Sequence, residues 1–294
     1  MEKRVTFNGW LLPLVLIAPQ VVISGVFFFY PAAQAVWQSL FIPDPFGLSM
    51  QWVGLGNFEF LLSDPYYLSS FITTAIFSGL VTVVSLVPAL FLAVLADRLI
   101  KGAGAYRTLL IWPYAVAPAV AGVLWLFMFN TRVGVVAWYL GTLGYDWNHV
   151  LNETEAMGLV VVASAWGRIS YNFLFFFAAL QAVPRSVIEA AAIDGARFWR
   201  RFFTIVLPLL SPTTFFLLVV NVVYSFFETF GVIHMITSGG PQQATTILVY
   251  KVYRDGFVSQ DLGSSAAQSV ILLIVVGLLT VVQFKYLEKR VHYG

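Results

Sequence analysis

Six long runs of apolar residues dominate this 294-residue chain. They cover about residues 10–29, 71–96, 108–129, 157–182, 207–230 and 266–284. A helix that crosses a bilayer needs about 20 apolar residues, within a range of about 17–25, whereas a strand of a membrane barrel needs only about ten with alternating polarity. The length and continuity of the runs therefore predict an all-α polytopic membrane protein with six transmembrane helices.

The composition excludes several other classes of protein. Sixty per cent of the residues are hydrophobic and only 10% are charged, whereas a soluble domain carries about 25% charged residues. Disordered chains have the opposite composition. The chain has no cysteine and only three scattered histidines, so we expect no thiolate nucleophile, no catalytic residues and no metal site.

The first run has an alternative interpretation as a cleaved signal peptide. Lys3 and Arg4 precede it, and Ala33 and Ala35 follow it. Its apolar stretch is longer than the core of about 7–15 residues that a signal peptide has, and five more runs follow. We therefore predict a retained first helix.

The charged residues predict an orientation. If the N-terminus is cytoplasmic, the inner segments 1–9, 97–107, 183–206 and 285–294 hold twelve basic and five acidic residues, a net charge of +7. The outer loops hold three basic and eight acidic residues, a net charge of −5. Because excess Lys and Arg marks the cytoplasmic side, both termini are predicted to be cytoplasmic.

The apolar runs contain prolines, and each proline removes a backbone donor and bends its helix. A bent helix either shapes the bundle or lines a transport pathway, and both interpretations stay open. The prolines in question are Pro13, Pro19, Pro88, Pro113, Pro118 and Pro212. No internal repeat is visible and the outer loops are of moderate length, so the whole chain, 1–294, is predicted to be a single transmembrane permease domain.

One predicted cytoplasmic loop, residues 184–208, is polar and rich in helix formers. Pro184 suits the start of a short helix, and Gly195 suits a turn because glycine adopts positive φ without steric cost. Phe198, Phe202 and Ile205 recur at helical spacing and predict one apolar face. The loop is then either an amphipathic helix at the lipid headgroups or a helical segment that docks on a soluble partner.

The loop resembles the EAA loop of the membrane subunits of bacterial ABC importers. That pattern is Glu-Ala-Ala, three residues, Gly, nine residues and Ile-x-Leu-Pro, and this chain matches every position. The resemblance implies a type I importer fold and a coupling helix that docks on a cytosolic ATPase, with Glu189 as the ionic contact. The coupling residues that it implies are Glu189, Ala190, Ala191, Asp194, Gly195, Ala196, Ile205, Leu207 and Pro208.

Other segments narrow the resemblance to the carbohydrate-uptake permeases of this family. Residues 53–58 (VGLGNF) and 237–241 (TSGGP) resemble stretches of those proteins. Residues 110–119, 171–177 and 266–270 resemble most the branch that imports sn-glycerol-3-phosphate. The resemblance extends from about Trp10 to Tyr293 and implies a multi-pass protein of the bacterial cytoplasmic membrane.

The resemblance also implies the partners and the mechanism. A second permease subunit, two copies of an ATPase and a solute-binding protein complete the machine, which works by alternating access in membrane lipid; no nucleic acid is implied. The chain contains no Gly-Lys pair, which the phosphate-binding loop of an ATPase requires. ATP and Mg²⁺ are therefore expected in the partner, and this chain is expected to bind no cofactor and not to be an enzyme.

Buried ionisable groups in membranes are functional candidates. Arg168 lies inside the fourth run, near Tyr171 and Asn172, and its guanidinium suits a phosphate; it also suits a purely structural contact between helices. Asn221 and Glu228 in the fifth run are further candidates for the substrate pathway. For Asn221 we favour a hydrogen bond between helices. For Glu228 two interpretations stay open, a residue that lines a gate and a residue at the membrane interface.

Three rival functions remain at this point. An intramembrane enzyme would need a nucleophile–base pair or a metal-binding motif such as His-Glu-x-x-His, and we find neither in the sequence. A stand-alone secondary transporter usually has internal repeats and leaves the EAA pattern unexplained. A permease for a neutral sugar or oligosaccharide is the hardest alternative to exclude, because the residues that line its pathway would differ little from those of a glycerol-phosphate permease.

Overall fold

The computed structural model describes residues 9–44, 49–98 and 103–287. The termini on which the predicted orientation depends, 1–8 and 288–294, lie outside the described residues. Packing divides the chain into two units, residues 1–64 with 252–271 and residues 65–251 with 272–294.

The first unit begins with a continuous helix, Leu11–Gln38, that is longer than the predicted 10–29. It consists of α1 (Leu11–Ser24), a π-helical turn (Gly25–Phe29) and α2 (Tyr30–Gln38), none of whose residues is buried. A two-stranded antiparallel hairpin of β1 (Phe41–Pro43) and β2 (Met50–Trp52) and helix α3 (Gly56–Ser63) follow. The Asn57 amide donates to the carbonyls of Ser39, at 2.8 Å, and Phe41, at 3.0 Å, which fixes the VGLGNF segment against β1.

The second unit is a helical bundle whose elements follow one another with short connections. They are α4 (Pro65–Arg98), α5 (Ala103–Ile111), a 3₁₀ turn (Trp112–Ala115), α6 (Pro118–Phe129), α7 (Val135–Thr142), α8 (Glu153–Ala182), α9 (Arg185–Ile193), α10 (Phe198–Arg201), a π-helical turn (Phe202–Val206), α11 (Leu207–Leu209), α12 (Ser211–Phe227) and α13 (Phe230–Ile236). Two further helices, α14 (Leu248–Tyr253) and α15 (Leu262–Val282), each run from one unit into the other. The π-helical segments Arg254–Val258 and Gln283–Leu287 complete the described elements.

The core of the second unit lies between α4, α8 and α12. Ala89 and Ala93 of α4 are buried together with Phe173 and Phe176 of α8 and Leu217 of α12. Alanines one turn apart let neighbouring helices approach closely, which is how helices associate in membranes.

Four helices of the described residues are long and apolar enough to cross a membrane, and this number rises to six if each of two bent helix pairs counts as one candidate span. The predicted spans over 108–129 and 207–230 are each interrupted by a sharp bend. Gly104–Ala115 and Pro118–Phe129 meet at 102°, and Phe198–Leu209 and Ser211–Phe227 meet at 66°. Prolines beside both breaks lack the amide donors that would continue the helix.

Candidate functional site

The loop between α8 and α12 contains the two short helices that the sequence predicts, α9 and α10, with Gly195 between them. Gly195 has a φ of +80°. The Ala196 amide donates to the Ala191 carbonyl and the Gly195 amide to the Ala192 carbonyl, both at 3.0 Å. These two bonds form a Schellman cap, which satisfies carbonyls at the end of α9 and requires a left-handed residue at this position.

The second half of the loop is anchored to the transmembrane helices. Phe202, Val206 and Leu210 are buried in one cluster against Leu90 and Val94 of α4 and against α8, α9 and α10. The predicted apolar face is therefore correct for Phe198 and Phe202 but wrong for Ile205, because Val206 and not Ile205 belongs to this cluster. A π-helical turn spans Phe202–Val206, and its wider winding brings residues four apart, rather than three, to the same face.

Four of the nine coupling residues implied by the resemblance are exposed, and the other five are half-buried. Glu189, Ala190, Asp194 and Gly195 are exposed, and Ala191 and Ala196 are half-buried. Ile205, Leu207 and Pro208 are half-buried at the junction with α12.

Large apolar side chains on the same loop escaped the sequence analysis. Ile193 is 88% exposed, and Trp199 and Phe203 are exposed as well. Apolar exposure of this kind on a polar loop marks an interaction site. The signal was present in the sequence, since Ile193 directly precedes the Asp-Gly turn.

Arg168 lies on α8 and is only 8% exposed. Its guanidinium carbon lies 4.1 Å from the ring centroid of Tyr224 and 4.5 Å from that of Tyr171. Nη2 donates to the Val220 carbonyl at 3.3 Å, and Nε has no hydrogen-bond partner. Among the described residues no carboxylate lies within ion-pair distance, so two aromatic faces and one carbonyl hold this charge.

Asn172 and Asn221 are fully buried and bind each other. Nδ2 of Asn221 donates to Oδ1 of Asn172 at 2.8 Å, and the reverse bond is 3.3 Å long. Ser85 of α4 donates to Oδ1 of Asn221 at 3.1 Å. These bonds join α4, α8 and α12, so both amides serve contacts between helices within this chain, as we favoured for Asn221.

The two other pathway candidates are Tyr171 on α8 and Glu228 after α12. Tyr171 is half-buried and its ring lies 5.5 Å from that of Tyr114, at the break between α5 and α6. Glu228 is the exposed residue that directly follows α12. The structure therefore brings Arg168 and Tyr171 into contact, since the guanidinium lies over the Tyr171 ring.

A buried carboxylate at the opposite end of α8 organises the segment before it. Glu155 accepts hydrogen bonds from the Tyr145 hydroxyl at 2.9 Å, the backbone amide of Asn148 at 2.6 Å and the side-chain amide of Asn152 at 3.1 Å. His149 is buried beside it. Burial lowers the pKa of His149, and the charge of Glu155 opposes this effect. Within the described ranges no group of three or more His, Cys, Asp or Glu residues is arranged to hold a metal ion.

Both the sequence and the fold have relatives among known proteins. Residues 45–293 match the family model described as "Binding-protein-dependent transport system inner membrane component". The sn-glycerol-3-phosphate transport system permease proteins UgpA of Rhizobium meliloti (strain 1021) and Brucella suis are each 60% identical over 99% of this chain and 100% of their own length. The same-named protein of Escherichia coli (strain UTI89) is 58% identical over 99% of both chains.

Among solved structures, a bacterial ABC transporter involved in the import of the acidic polysaccharide alginate superposes with a TM-score of 0.82. The match covers 96% of both chains at 19% identity. At that identity the likeness shows the fold, which is the fold of a membrane subunit of an ABC importer. The chain belongs to the family of binding-protein-dependent transport system inner membrane components, the multi-pass permease subunits of ABC importers, which are transport subunits and not enzymes.

Proposed function

We propose that this chain is a permease subunit of an ABC importer that takes sn-glycerol-3-phosphate, with glycerophosphodiesters as a related substrate, across the bacterial cytoplasmic membrane. The observation that carries the proposal is the identity of 60% along essentially the whole length of relatives that are named for this substrate. Six spans, with each bent pair crossing once, and cytoplasmic termini complete the proposed topology.

The loop from residue 184 to 208 is the proposed attachment site of the ATPase. Glu189 is exposed for an ionic contact, and Ile193 and Trp199 add apolar area beside it. ATP and Mg²⁺ bind in the partner, and this chain binds no cofactor. Because Phe202 and Leu210 are buried against the transmembrane helices, a displacement of the docked loop is carried to α4, α8 and α12.

The proposed complex contains a second permease subunit, two ATPase subunits and a solute-binding protein, embedded in membrane lipid. A solved relative in fold was crystallised with an alginate pentasaccharide-bound periplasmic protein, which supports a solute-binding partner. ATP binding and hydrolysis then open the interface between the permeases to one side of the membrane and afterwards to the other.

Arg168 is the proposed contact for the phosphate on the substrate pathway. A buried guanidinium without a carboxylate partner has charge left for an anion, and two aligned donors suit a phosphate oxygen pair. Tyr171 and Glu228 belong to the same proposed region, whereas Asn172 and Asn221 shape it from behind through their contacts between helices.

The test is to purify the complete importer with its binding protein and to measure ATP hydrolysis as a function of added solute. We expect sn-glycerol-3-phosphate to stimulate hydrolysis and maltose or glucose to leave it at the basal rate. Stimulation by a neutral sugar, with none by the phosphate ester, would assign the chain to the neutral-sugar permeases instead.

A further inference from the structure

The short helix α7 and the segment after it carry features that transport and coupling do not explain. α7 lies between α6 and α8, which both belong to candidate membrane spans, and it precedes the end of α8 opposite to the coupling loop. Residues 133–145 contain no charged side chain. We propose that this region binds a zwitterionic phospholipid, with the acyl chains along α7 and the headgroup in the adjoining cavity.

The exposed face of α7 is apolar and aromatic. Val135 is 75% exposed and Trp138 is 71% exposed, with Tyr139 beside them and Leu143 just beyond the helix end. The opposite face is closed, since Ala137 is buried. A stripe of Val, Trp, Tyr and Leu at the boundary of the membrane is the pattern of a helix that lies in the interface, where aromatic rings favour the headgroup level.

A cavity of about 370 Å³ adjoins this stripe, and its lining carries one charge of each sign. Arg132 and Asp146 both line it, together with Trp138, Tyr145 and Trp147. Within the described ranges, neither the Arg132 guanidinium nor the Asp146 carboxylate has a hydrogen-bond or ion-pair partner, and the two do not pair with each other.

The cavity walls are fixed by bonds to the transmembrane helices. Trp147 Nε1 donates to the Phe129 carbonyl at 3.1 Å at the end of α6, and Tyr145 donates to Glu155 at the start of α8. The two neighbours of Asp146 are therefore each held by a hydrogen bond, Tyr145 to the start of α8 and Trp147 to the end of α6.

The arrangement of charges selects the class of lipid. A guanidinium binds the phosphate of a headgroup, and a carboxylate next to aromatic rings binds its ammonium. A phosphoethanolamine headgroup satisfies Arg132 and Asp146 together. An anionic headgroup satisfies only Arg132 and is repelled by Asp146.

The position of the stripe is tested with cysteine variants, because the chain has no cysteine of its own. Val135→Cys and Leu143→Cys are spin-labelled in the complete importer in nanodiscs, and collisions with oxygen and with an aqueous nickel chelate are compared. Val83→Cys, on the exposed face of α4, is the lipid control, and Thr154→Cys, on the exposed first turn of α8, is the water control. We expect both probes to behave like Val83. Behaviour like Thr154, or shielding from both reagents by a protein partner, would overturn the proposal.

The headgroup is tested by native mass spectrometry of the importer taken from nanodiscs of equal phosphatidylethanolamine and phosphatidylglycerol. We expect Arg132→Gln and Asp146→Asn each to reduce the retained phosphatidylethanolamine roughly tenfold, the loss that removal of one charge-assisted contact produces. Glu153→Gln, an exposed carboxylate outside the cavity lining, is the control without effect. Preferential retention of phosphatidylglycerol would contradict the proposal, and so would displacement of the lipid by millimolar free glycerophosphoethanolamine, which would identify a soluble phosphodiester as the ligand.

Discussion

Gly195 is the residue on which the shape of the coupling loop depends most directly. Its φ of +80° is a conformation that costs other L-residues about 1–2 kcal/mol. No atom lies within 4 Å of the position that a Cβ would take. Within this chain the penalty of a substitution is therefore conformational rather than steric.

We predict that coupling falls in the order Gly195, Gly195→Asn, Gly195→Ala and Gly195→Val. Asn tolerates the left-handed region better than Ala, and a β-branched residue tolerates it least. The measurement is ATP hydrolysis stimulated by the loaded binding protein, with thermal unfolding of the complex as the control. An alanine variant as strongly stimulated as the wild type would show that the cap has no role in coupling.

Arg168 is the residue that we expect to sense the phosphate. Arg168→Gln removes the charge, and Arg168→Lys keeps it but loses the planar stacking between Tyr171 and Tyr224. We predict that the KM for sn-glycerol-3-phosphate uptake rises about tenfold or more in Arg168→Gln and less in Arg168→Lys, in fully assembled complexes.

Arg107→Gln provides the matched control for this comparison. The Arg107 guanidinium lies 4.1 Å from the Phe177 ring centroid, and among the described residues its Nε likewise has no hydrogen-bond partner. Arg107 is not in the proposed pathway. An equal rise of KM in both variants would mean that Arg168 acts only through packing.

At the scale of elements, the segment of residues 145–155 is a small pH-sensitive unit. His149 is 3% exposed and its pKa is lowered by burial, so the folded segment favours the neutral imidazole. A histidine with a lowered folded pKa contributes stability that is complete above its unfolded pKa of about 6.5 and is lost as the pH falls further.

We predict that amide exchange in residues 145–155, corrected for its intrinsic pH dependence, accelerates as the pH falls below about 6.5. His149→Phe keeps the ring packing beside Trp147 and removes the titrating group, so it should abolish the acceleration. The same acceleration in the variant would assign the effect to Glu155 or to another group.

The helix breaks show how far the sequence predicts elements. Pro113 and Pro118 predict a bend in the third apolar run, but hydropathy measures only the length of a run, and a bend of 102° leaves its composition unchanged. The sequence did not predict the short helix α7, because a stretch of eight uncharged residues is too short for a membrane span and was assigned to the loop between two apolar runs. Val206, rather than Ile205, faces the core because a π-helical turn changes the periodicity on which the prediction rests.

At the scale of the whole molecule, the EAA spacing predicted the family although it involves only seven positions. The family match and relatives at 60% identity confirm that prediction. The substrate pathway is predicted less well, because candidates were chosen by residue type alone. Three-dimensional packing separates Asn172 and Asn221, which are fully buried and bind each other, from Arg168, whose guanidinium keeps an unpartnered Nε.

The central claim is that this chain joins ATP hydrolysis to the import of sn-glycerol-3-phosphate through the loop that carries Glu189. The most direct measurement is uptake of labelled sn-glycerol-3-phosphate into proteoliposomes that hold the complete importer with ATP on the ATPase side. We predict uptake that requires ATP and binding protein, that Glu189→Lys reduces at least about tenfold by repelling a basic contact, and that Glu153→Gln leaves unchanged. ATP-independent uptake, or full uptake by the Glu189→Lys complex, would contradict the account.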